Sequence, residues 1–325
     1  MSAGVRALFL GEVVLDVTAS GPDPLDMRGH PGGGPLNAAV AAARLGLMAS
    51  VATGISTDAF GTAIADHLRA NDVDLALVEW SDAPTAVAFA TEAAGGTRYR
   101  FLFEGTADQA FDPRPRPPIP EGTAFVQLNA LTSFDDPSRR SNLDLLARAR
   151  EQGCVVVFDP TVRPLLVPER ERWWSVLDAA LPFTDLVKAS DQDLAFLVPG
   201  TGPVEAAARL LEQAQGPWGV IVTLGSDGAA LVRRRRATIG VDAVAVEVVD
   251  TIGAGDTFSA ATMAALTDRG VSTRAGLDDL DDDAWRAVLA FAARAAAVTC
   301  GRAGADPPRR AELDGPAVSP ERPTG

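Results

Sequence analysis

The stretch Asp250-Thr251-Ile252-Gly253-Ala254-Gly255-Asp256-Thr257-Phe258 decides how the rest of the chain is read. It follows a β-branched run at 244–249 and opens an alanine-rich helical segment at 256–269. Gly253, Ala254 and Gly255 carry little or no side chain, so a ligand can approach their backbone N–H groups closely. At a helix start those donors and the helix dipole favour negative charge, which makes the three residues a candidate anion hole. Asp256 stands at the same place, where a carboxylate can take a proton from a substrate hydroxyl beside a phosphate. A glycine turn capped by an acid would show the same residues with no ligand at all. The stretch is not the nucleotide P-loop, which ends in Gly-Lys-Ser/Thr.

A second glycine turn lies far upstream, Gly32-Gly33-Gly34-Pro35-Leu36-Asn37. Gly33 and Gly34 permit a tight backbone turn before a helix predicted at 35–45, and Asn37 falls on its first turn, within reach of a ligand's hydroxyls. A flexible loop before a polar first turn is the plainer reading. Around these turns, short apolar runs alternate with alanine-rich helices. Strands are predicted at 5–10, 50–55, 75–80, 124–128, 155–158, 186–187 and 219–224, and helices at 59–70, 137–151, 191–197, 204–213 and 282–299, which is the signature of α/β layering. The alternation breaks at 85–103, where two strand-like runs flank Gly95-Gly96 as a hairpin, and at 16–28, a non-helical stretch with a Gly-Pro-Asp-Pro turn. These pieces suit a small separate sheet that covers a site. A further hairpin is expected through 229–239, and the proline-rich end from 305 reads as a loose tail.

Composition bounds the function. Among 325 residues, 29 are basic and 43 acidic, a net charge of −14, which argues against nucleic acid and against an anionic membrane as partners. The run Arg233–Arg236 reads as a solvated hairpin tip. Two cysteines and two histidines leave no disulfide framework or zinc cage. The first apolar run is too short for a signal peptide or a membrane span, so a cytoplasmic protein is expected. Of the 29 basic residues 28 are arginine, and Lys188 is the only lysine. At the end of a short strand its ammonium could serve phosphates as a compact charge, or merely solvate the strand end. Arg163 on its own reads as a surface ion pair near a loop.

The two glycine motifs, in this order and at this distance, resemble the ribokinase-like family of carbohydrate kinases. Gly11-Glu12 with Asp16 and the segment Val222-Thr223-Leu224-Gly225-Ser226-Asp227-Gly228 add to the likeness, which covers most of the chain. Within the family the details are most similar to bacterial fructokinases, through Phe158-Asp159-Pro160-Thr161-Val162-Arg163-Pro164, Tyr99-Arg100-Phe101, Gly105-Thr106-Ala107-Asp108 and Cys300-Gly301-Arg302-Ala303-Gly304-Ala305-Asp306-Pro307-Pro308. The resemblance implies an α/β fold, a three-layer α/β/α domain with a mainly parallel sheet and a small β lid. It places one kinase domain at 1–310, lid insertions near 13–31 and 84–108, and a loose tail at 311–325.

The activity it implies is transfer of the ATP γ-phosphate, with Mg2+, to a terminal hydroxyl of a small sugar such as fructose. Asp256 would be the base and Gly253–Gly255 the anion hole. Asp16, Gly33, Gly34, Asn37, Tyr99, Phe101 and Arg163 would bind the sugar, and Lys188, Ser190, Thr223, Gly225, Asp227 and Gly228 the nucleotide. Asp193 would hold magnesium through water. Asp250, Ile252, Thr299, Arg302 and Gly304 would form a monovalent-cation loop for K+. A homodimer through the lid is also implied. The chain departs from the family at Thr161, where an Asn is usual, and at Ser190-Asp191-Gln192-Asp193, where the pattern is Asn-x-x-Glu. It departs again at Pro308, where some members place a Ser ligand. Two alternatives follow. One is a 2-keto-3-deoxygluconate kinase with Arg98 or Arg100 meeting an acidic substrate, and the other is a sugar-binding regulator that has lost catalysis.

Overall fold

Hydrophobic alternation places the main sheet. In β1 (Arg6–Leu10) Ala7 and Phe9 point into one core and Leu8 and Leu10 into the other, so both faces of the strand are covered. The computed structural model describes residues 4–19, 26–93, 96–212 and 216–314. Six parallel strands, β4 (Met48–Ala52), β1, β9 (Thr123–Asn129), β10 (Val155–Asp159), β11 (Leu186–Ser190) and β12 (Gly219–Thr223), lie side by side in that order. Antiparallel β13 (Ala229–Arg233) and β14 (Ile239–Val241) complete an eight-stranded sheet.

Helices cover both faces. On one side pack α1 (Gly34–Arg44), α2 (Ala59–Ala70), α7 (Ala254–Thr267), α8 (Arg274–Asp279) and α9 (Asp282–Cys300), around Trp285 and Phe258. On the other pack α3 (Ser138–Glu151), α4 (Arg170–Ala180), α5 (Asp191–Leu197) and α6 (Pro203–Glu212), around Trp173 and Phe158. The parallel strands end at one edge, where Asn129 pairs with Asp159 and Ser190 with Thr223. In open α/β sheets that carboxyl edge is where ligands bind.

The lid is a second sheet, in the order β3 (Met27–Gly32), β2 (Val14–Ala19), β7 (Ala86–Ala93) and β8 (Gly96–Leu102). Strands β2 and β7 run parallel, and the other two pairs are antiparallel. A two-stranded ribbon, β5 (Gly54–Ser56) with β6 (Glu79–Ser81), lies between lid and body in sequence.

Several expectations are corrected. The strand expected at 75–80 shrinks to β6, because Val78 donates to Leu75 O at 3.0 Å and closes a turn there. The β-branched run 244–249, for which no element was expected, is irregular, and Val244, Val246, Val248 and Val249 are exposed. Helix α4 was not foreseen, although its Trp173 is wholly buried. The end of the chain is no loose tail as far as 314. A last turn, α10 (Arg310–Leu313), buries Leu313 in the core, and Arg44 binds Asp306 at 2.5 Å. The Gly-Pro-Asp-Pro turn, Gly95 of the hairpin and residues 315–325 lie outside the described residues. The Arg233–Arg236 run is only partly a solvated tip, since Arg233 is buried against Asp282 at 2.8 Å.

Candidate active site

Helix α7 starts on Gly253, whose φ of 75° is left-handed and whose missing Cβ would stand 2.6 Å from Ala305 Cβ. The cap of this helix is therefore Gly253, and Asp256 sits in its first turn. Ala254 N donates to Thr251 O at 3.3 Å, so Gly255 and Asp256 present the open first-turn amides at the positive end of a 14-residue helix. Asp250 pins the approach: its Oδ1 accepts from Ile252 N at 3.0 Å and its Oδ2 from Gly304 N at 2.9 Å. Cys300 O accepts from Val249 N, so the segments at 249–252 and 300–304 are joined. Thr299, deeply buried, donates to Thr257 Oγ1 at 3.0 Å and holds α9 against α7. Arg302 is spent on Asp306 and Glu312.

Asp256 faces the other glycine turn. Asn37 Nδ2 donates to Asp256 Oδ2 at 3.0 Å across 219 positions of sequence. Gly34 fits between them and the sheet edge only because it has no side chain. A Cβ there would lie 2.3 Å from Asn129 Nδ2 and 3.3 Å from Asp256 Oδ1. Burial raises the Asp256 carboxyl to about 6. Asp159 adds to the rise, while Lys188, the Asn37 hydrogen bond and Arg163 oppose it.

Beneath this lies a floor of side chains from the ends of β9, β10 and β11. Gln127 donates to Asn129 Oδ1 and Asn129 to Thr161 Oγ1, each at 2.9 Å. The Thr161 hydroxyl donates to Asp159 Oδ1 at 3.0 Å, and Lys188 Nζ donates to Asp159 Oδ2 at 3.0 Å. Thr161, with φ 44°, also donates its N–H to Asp159 Oδ1. Both oxygens of Asp193 are spent on protein donors. Oδ1 accepts from Val162 N at 2.8 Å, and Oδ2 accepts from Ser190 N and Oγ in a capping box for α5. Asp193 thus sits at the third position of α5 and closes its capping box, with Ser190 as the N-cap.

The lid brings Asp16 over the site. Gly32 has room for it alone, since a Cβ at 32 would lie 2.0 Å from Asp16 Oδ2. Burial raises Asp16 to about 6, with Asp256 adding to the rise and Arg163 opposing it. Register puts Asp16 beside Ala88 and Ala88 beside Phe101, so Phe101 shares the Asp16 face and packs on Val14, Ala86 and Ala88. Arg100 pairs with Phe89 one row on, and so belongs to the opposite face. The Tyr99 side chain lies outside what the structure describes. Glu12 is buried under the turn: Oε1 accepts from Gly34 N at 3.3 Å, and Gly33, with φ 103°, packs directly on Glu12 O. Arg163 is exposed and donates to Val162 O at 3.1 Å.

On the far side of α7, Thr223 ends β12 and a 3-10 turn, Gly225–Asp227, follows with an exposed backbone. Leu224 N donates to Gly228 O at 2.8 Å, and Gly228, with φ 92°, would drive a Cβ to 2.0 Å from Val241 O. The structure thus gathers Asp16, Gly33, Gly34, Asn37, Lys188 and Asp256 at one edge. It sets Thr223 at the end of β12, the strand beside that of Lys188, and Gly225, Asp227 and Gly228 in the turn that follows. Sequence reasoning passed over Glu12 as a site group, and Asn129 and Asp159 as its floor. The available signal was a polar residue closing an otherwise apolar strand.

Fold and site together define a carbohydrate kinase with the ribokinase-like α/β/α architecture. The chain belongs to the pfkB family of carbohydrate kinases, whose model matches residues 8–311. It is 30% identical over 258 residues to the fructokinase of Rhizobium leguminosarum bv. trifolii, which covers 79% of this chain and 78% of that protein. Among solved structures it is similar to the fructokinase of Xylella fastidiosa with bound ATP, with a TM-score of 0.83, 25% identity, and coverage of 95% of this chain and 96% of the other. It shares its fold with the fructokinase of Vibrio cholerae O395 in the fructose-, ADP- and calcium-bound form. There the TM-score is 0.81 at 24% identity, covering 95% of this chain and 97% of that one.

Proposed function

We propose that the chain is an ATP-dependent sugar kinase of the fructokinase type. The observation that carries this reading is the Asn37–Asp256 contact, which sets a carboxylate of raised proton affinity between a helix-start anion hole and a hydroxyl-binding lid. The sugar lies under Asp16 and Phe101, against Gly33, Gly34 and Asn37. A terminal hydroxyl gives its proton to Asp256 as its oxygen attacks the γ-phosphorus in line, and ADP leaves. The Gly255 and Asp256 amides at the start of α7 stabilise charge on the transferring oxygens. Thr223, Gly225, Asp227 and Gly228 line the nucleotide side.

Among the described residues no group of three His, Cys, Asp or Glu side chains could hold a metal. Magnesium is expected to enter with the nucleotide, as MgATP, held by phosphates and water, with Asp193 reaching it through water. Potassium is expected to act through the joined segments at Asp250, Ile252, Thr299, Arg302 and Gly304. The likeness to fructokinases favours fructose as the sugar. The 2-keto-3-deoxygluconate reading loses its cationic lid at Arg100, which belongs to the face away from Asp16. Exposed Leu102, Phe60 and Trp80 near the lid's outer side suit a homodimer, checked by sedimentation equilibrium. Cys154 and Cys300 are both free, which suits a reducing cytoplasm, and no helix of the described residues is long and apolar enough to cross a membrane.

A coupled ADP-release assay over fructose, 2-keto-3-deoxygluconate, ribose and adenosine tests the reading. Turnover of the sugar acid with none of fructose would overturn the fructokinase assignment. Asp256→Asn is expected to lower kcat by about 10²- to 10⁴-fold while sugar binding persists in calorimetry. Full activity in that variant would remove the base, and absence of turnover in the parent chain with every sugar would favour a binding regulator.

A further inference from the structure

The chain's only lysine is sealed inside the site. Lys188 is 7% exposed and its partner Asp159 2%, with 3.0 Å between Nζ and Oδ2. The ammonium lies directly under the anion hole, where a Cβ on Gly255 would come within 2.7 Å of Nζ. Gly255 therefore makes room for a cation below the turn as well as for a ligand above it. We propose that Lys188 is a positioning residue, whose ammonium, oriented by Asp159 beneath Gly255, sets the charge of Asp256 from below without contacting the nucleotide.

This inference rests on Asp256 being the base of the proposed reaction. Three observations support it. A phosphate contact needs a reachable ammonium, and this one is buried and already bonded. Asp159 is itself held in place, with Oδ1 taken by Thr161 N and Oγ1 and Oδ2 by Lys188. Thr161 is anchored in turn by Asn129, so the Thr in place of the family's usual Asn supplies a hydroxyl that orients the pair. The two partners also act on Asp256 with opposite signs: Lys188 lowers its proton affinity and Asp159 raises it. The other charged groups facing Asp256 are Arg163, which lowers it, and Glu12 and Asp16, each coupled to it by repulsion. Lys188 faces Asp159, Asp256 and Asp193, which together hold its ammonium above the ordinary lysine range despite the opposing effect of burial.

The opposite signs make the test. The pH dependence of kcat/KM for the sugar, and the KM for MgATP, are measured in the parent chain, Lys188→Met, Asp159→Asn and the double variant, with Asp256→Asn as control. Lys188→Met is expected to move the acid limb up by about one pH unit, so that well below the limb the rate falls about tenfold. Asp159→Asn is expected to move the limb down, and the double variant, which leaves no unpaired buried charge, to return it toward the parent. The KM for MgATP stays within about threefold throughout, less than a contact to a phosphate would change it. Loss of a merely structural bridge would move both single variants alike. The inference is overturned if the limbs shift together or stay put, or if Lys188→Met raises the MgATP KM about tenfold or more with its limb unmoved. Should Lys188→Met fail to fold by circular dichroism, the downward shift in Asp159→Asn and its reversal in the double variant decide. If Asp256→Asn keeps full turnover, the base assignment fails. If it is inactive and the limbs do not split, only the role of Lys188 fails.

Discussion

Gly34→Ala sets two rules against each other. Gly34 opens α1 without a left-handed φ, so helix propensity alone would have alanine stabilise the chain by about 0.5–1 kcal/mol. The added methyl, however, would stand 2.3 Å from Asn129 Nδ2, more than 1 Å inside ordinary contact. Asn129 has nowhere to go. It is wholly buried, donates to Thr161 at 2.9 Å and accepts from Gln127 at 2.9 Å. A retreat of about 1 Å breaks both bonds, at about 1–3 kcal/mol each for buried partners left unsatisfied. After the propensity gain, the net cost is about 1–5 kcal/mol. The same methyl, 3.3 Å from Asp256 Oδ1, presses on the base, and misplacement of that order lowers turnover by up to about 10²-fold. Thermal melting and the coupled assay read both effects. Asn129→Ala removes the clashing amide, so Gly34→Ala is expected to cost less in that background. An unchanged melting point and turnover, or equal cost with and without Asn129, would refute the steric reasoning.

Two further outcomes are expected. Burial holds Glu12 protonated up to about pH 8, from an ordinary 4.5, with Asp108 adding to the rise. Its stabilisation is present below 4.5 and lost as pH climbs through 8, so the melting advantage of Glu12→Gln over the parent should grow across that window. Parallel melting curves against pH would show that Glu12 titrates normally. Asp58 caps α2 through Phe60 N and Gly61 N, and ties Thr85 N and Oγ1 at the root of lid strand β7. Although burial raises it, bonds from Gly61, Thr85 and Ser56 draw it down to about 2, so its contribution persists above pH 3.8 and is lost as pH falls toward 2. Asp58→Ala is expected to cost about 1–2 kcal/mol and to raise the sugar KM with little change in the nucleotide KM, because only the lid loses its anchor. Equal rises in both would contradict that division.

Periodicity carried the main sheet and most of its helices because the strands are short, largely apolar runs and the helices patterned ones. It stops short where burial, not pattern, decides. The run at 244–249 has the β-branched composition of a strand, yet no partner strand lies beside it, and its valines stay exposed. Leu313 looked like part of a tail because the proline-rich stretch around it shows no strand or helix pattern, yet it packs in the core and its carbonyl accepts from Arg294 of α9. At the site, glycine motifs located both turns, while the reason for individual glycines depended on what lay beneath them. Gly32 gives way to Asp16, Gly34 to Asn129, and Gly255 to Lys188, and none of those pairings has a local signal. Asp193 shows the converse. A capping box is readable from Ser190 and Asp193 three residues apart, while the magnesium role rests on the family motif alone.

The charge balance bears on why the base sits where it does. A net charge of −14 is not averaged away at the site, where Glu12, Asp16, Asp159, Asp193 and Asp256 converge against Lys188 and Arg163. Left to burial and repulsion alone, a carboxyl there would stay protonated at neutral pH and could accept nothing. At an ordinary 3.8 it would be ionised but a weak base. An affinity near 6 lies between: about nine-tenths of the groups are ionised at pH 7, and each is a stronger proton acceptor than a surface aspartate. The surrounding acids push Asp256 up, and a single sealed ammonium limits how far. A solvent-exposed arginine in its place would be screened and mobile. A compact lysine under a glycine keeps its charge fixed while the surface above it stays open to the phosphate.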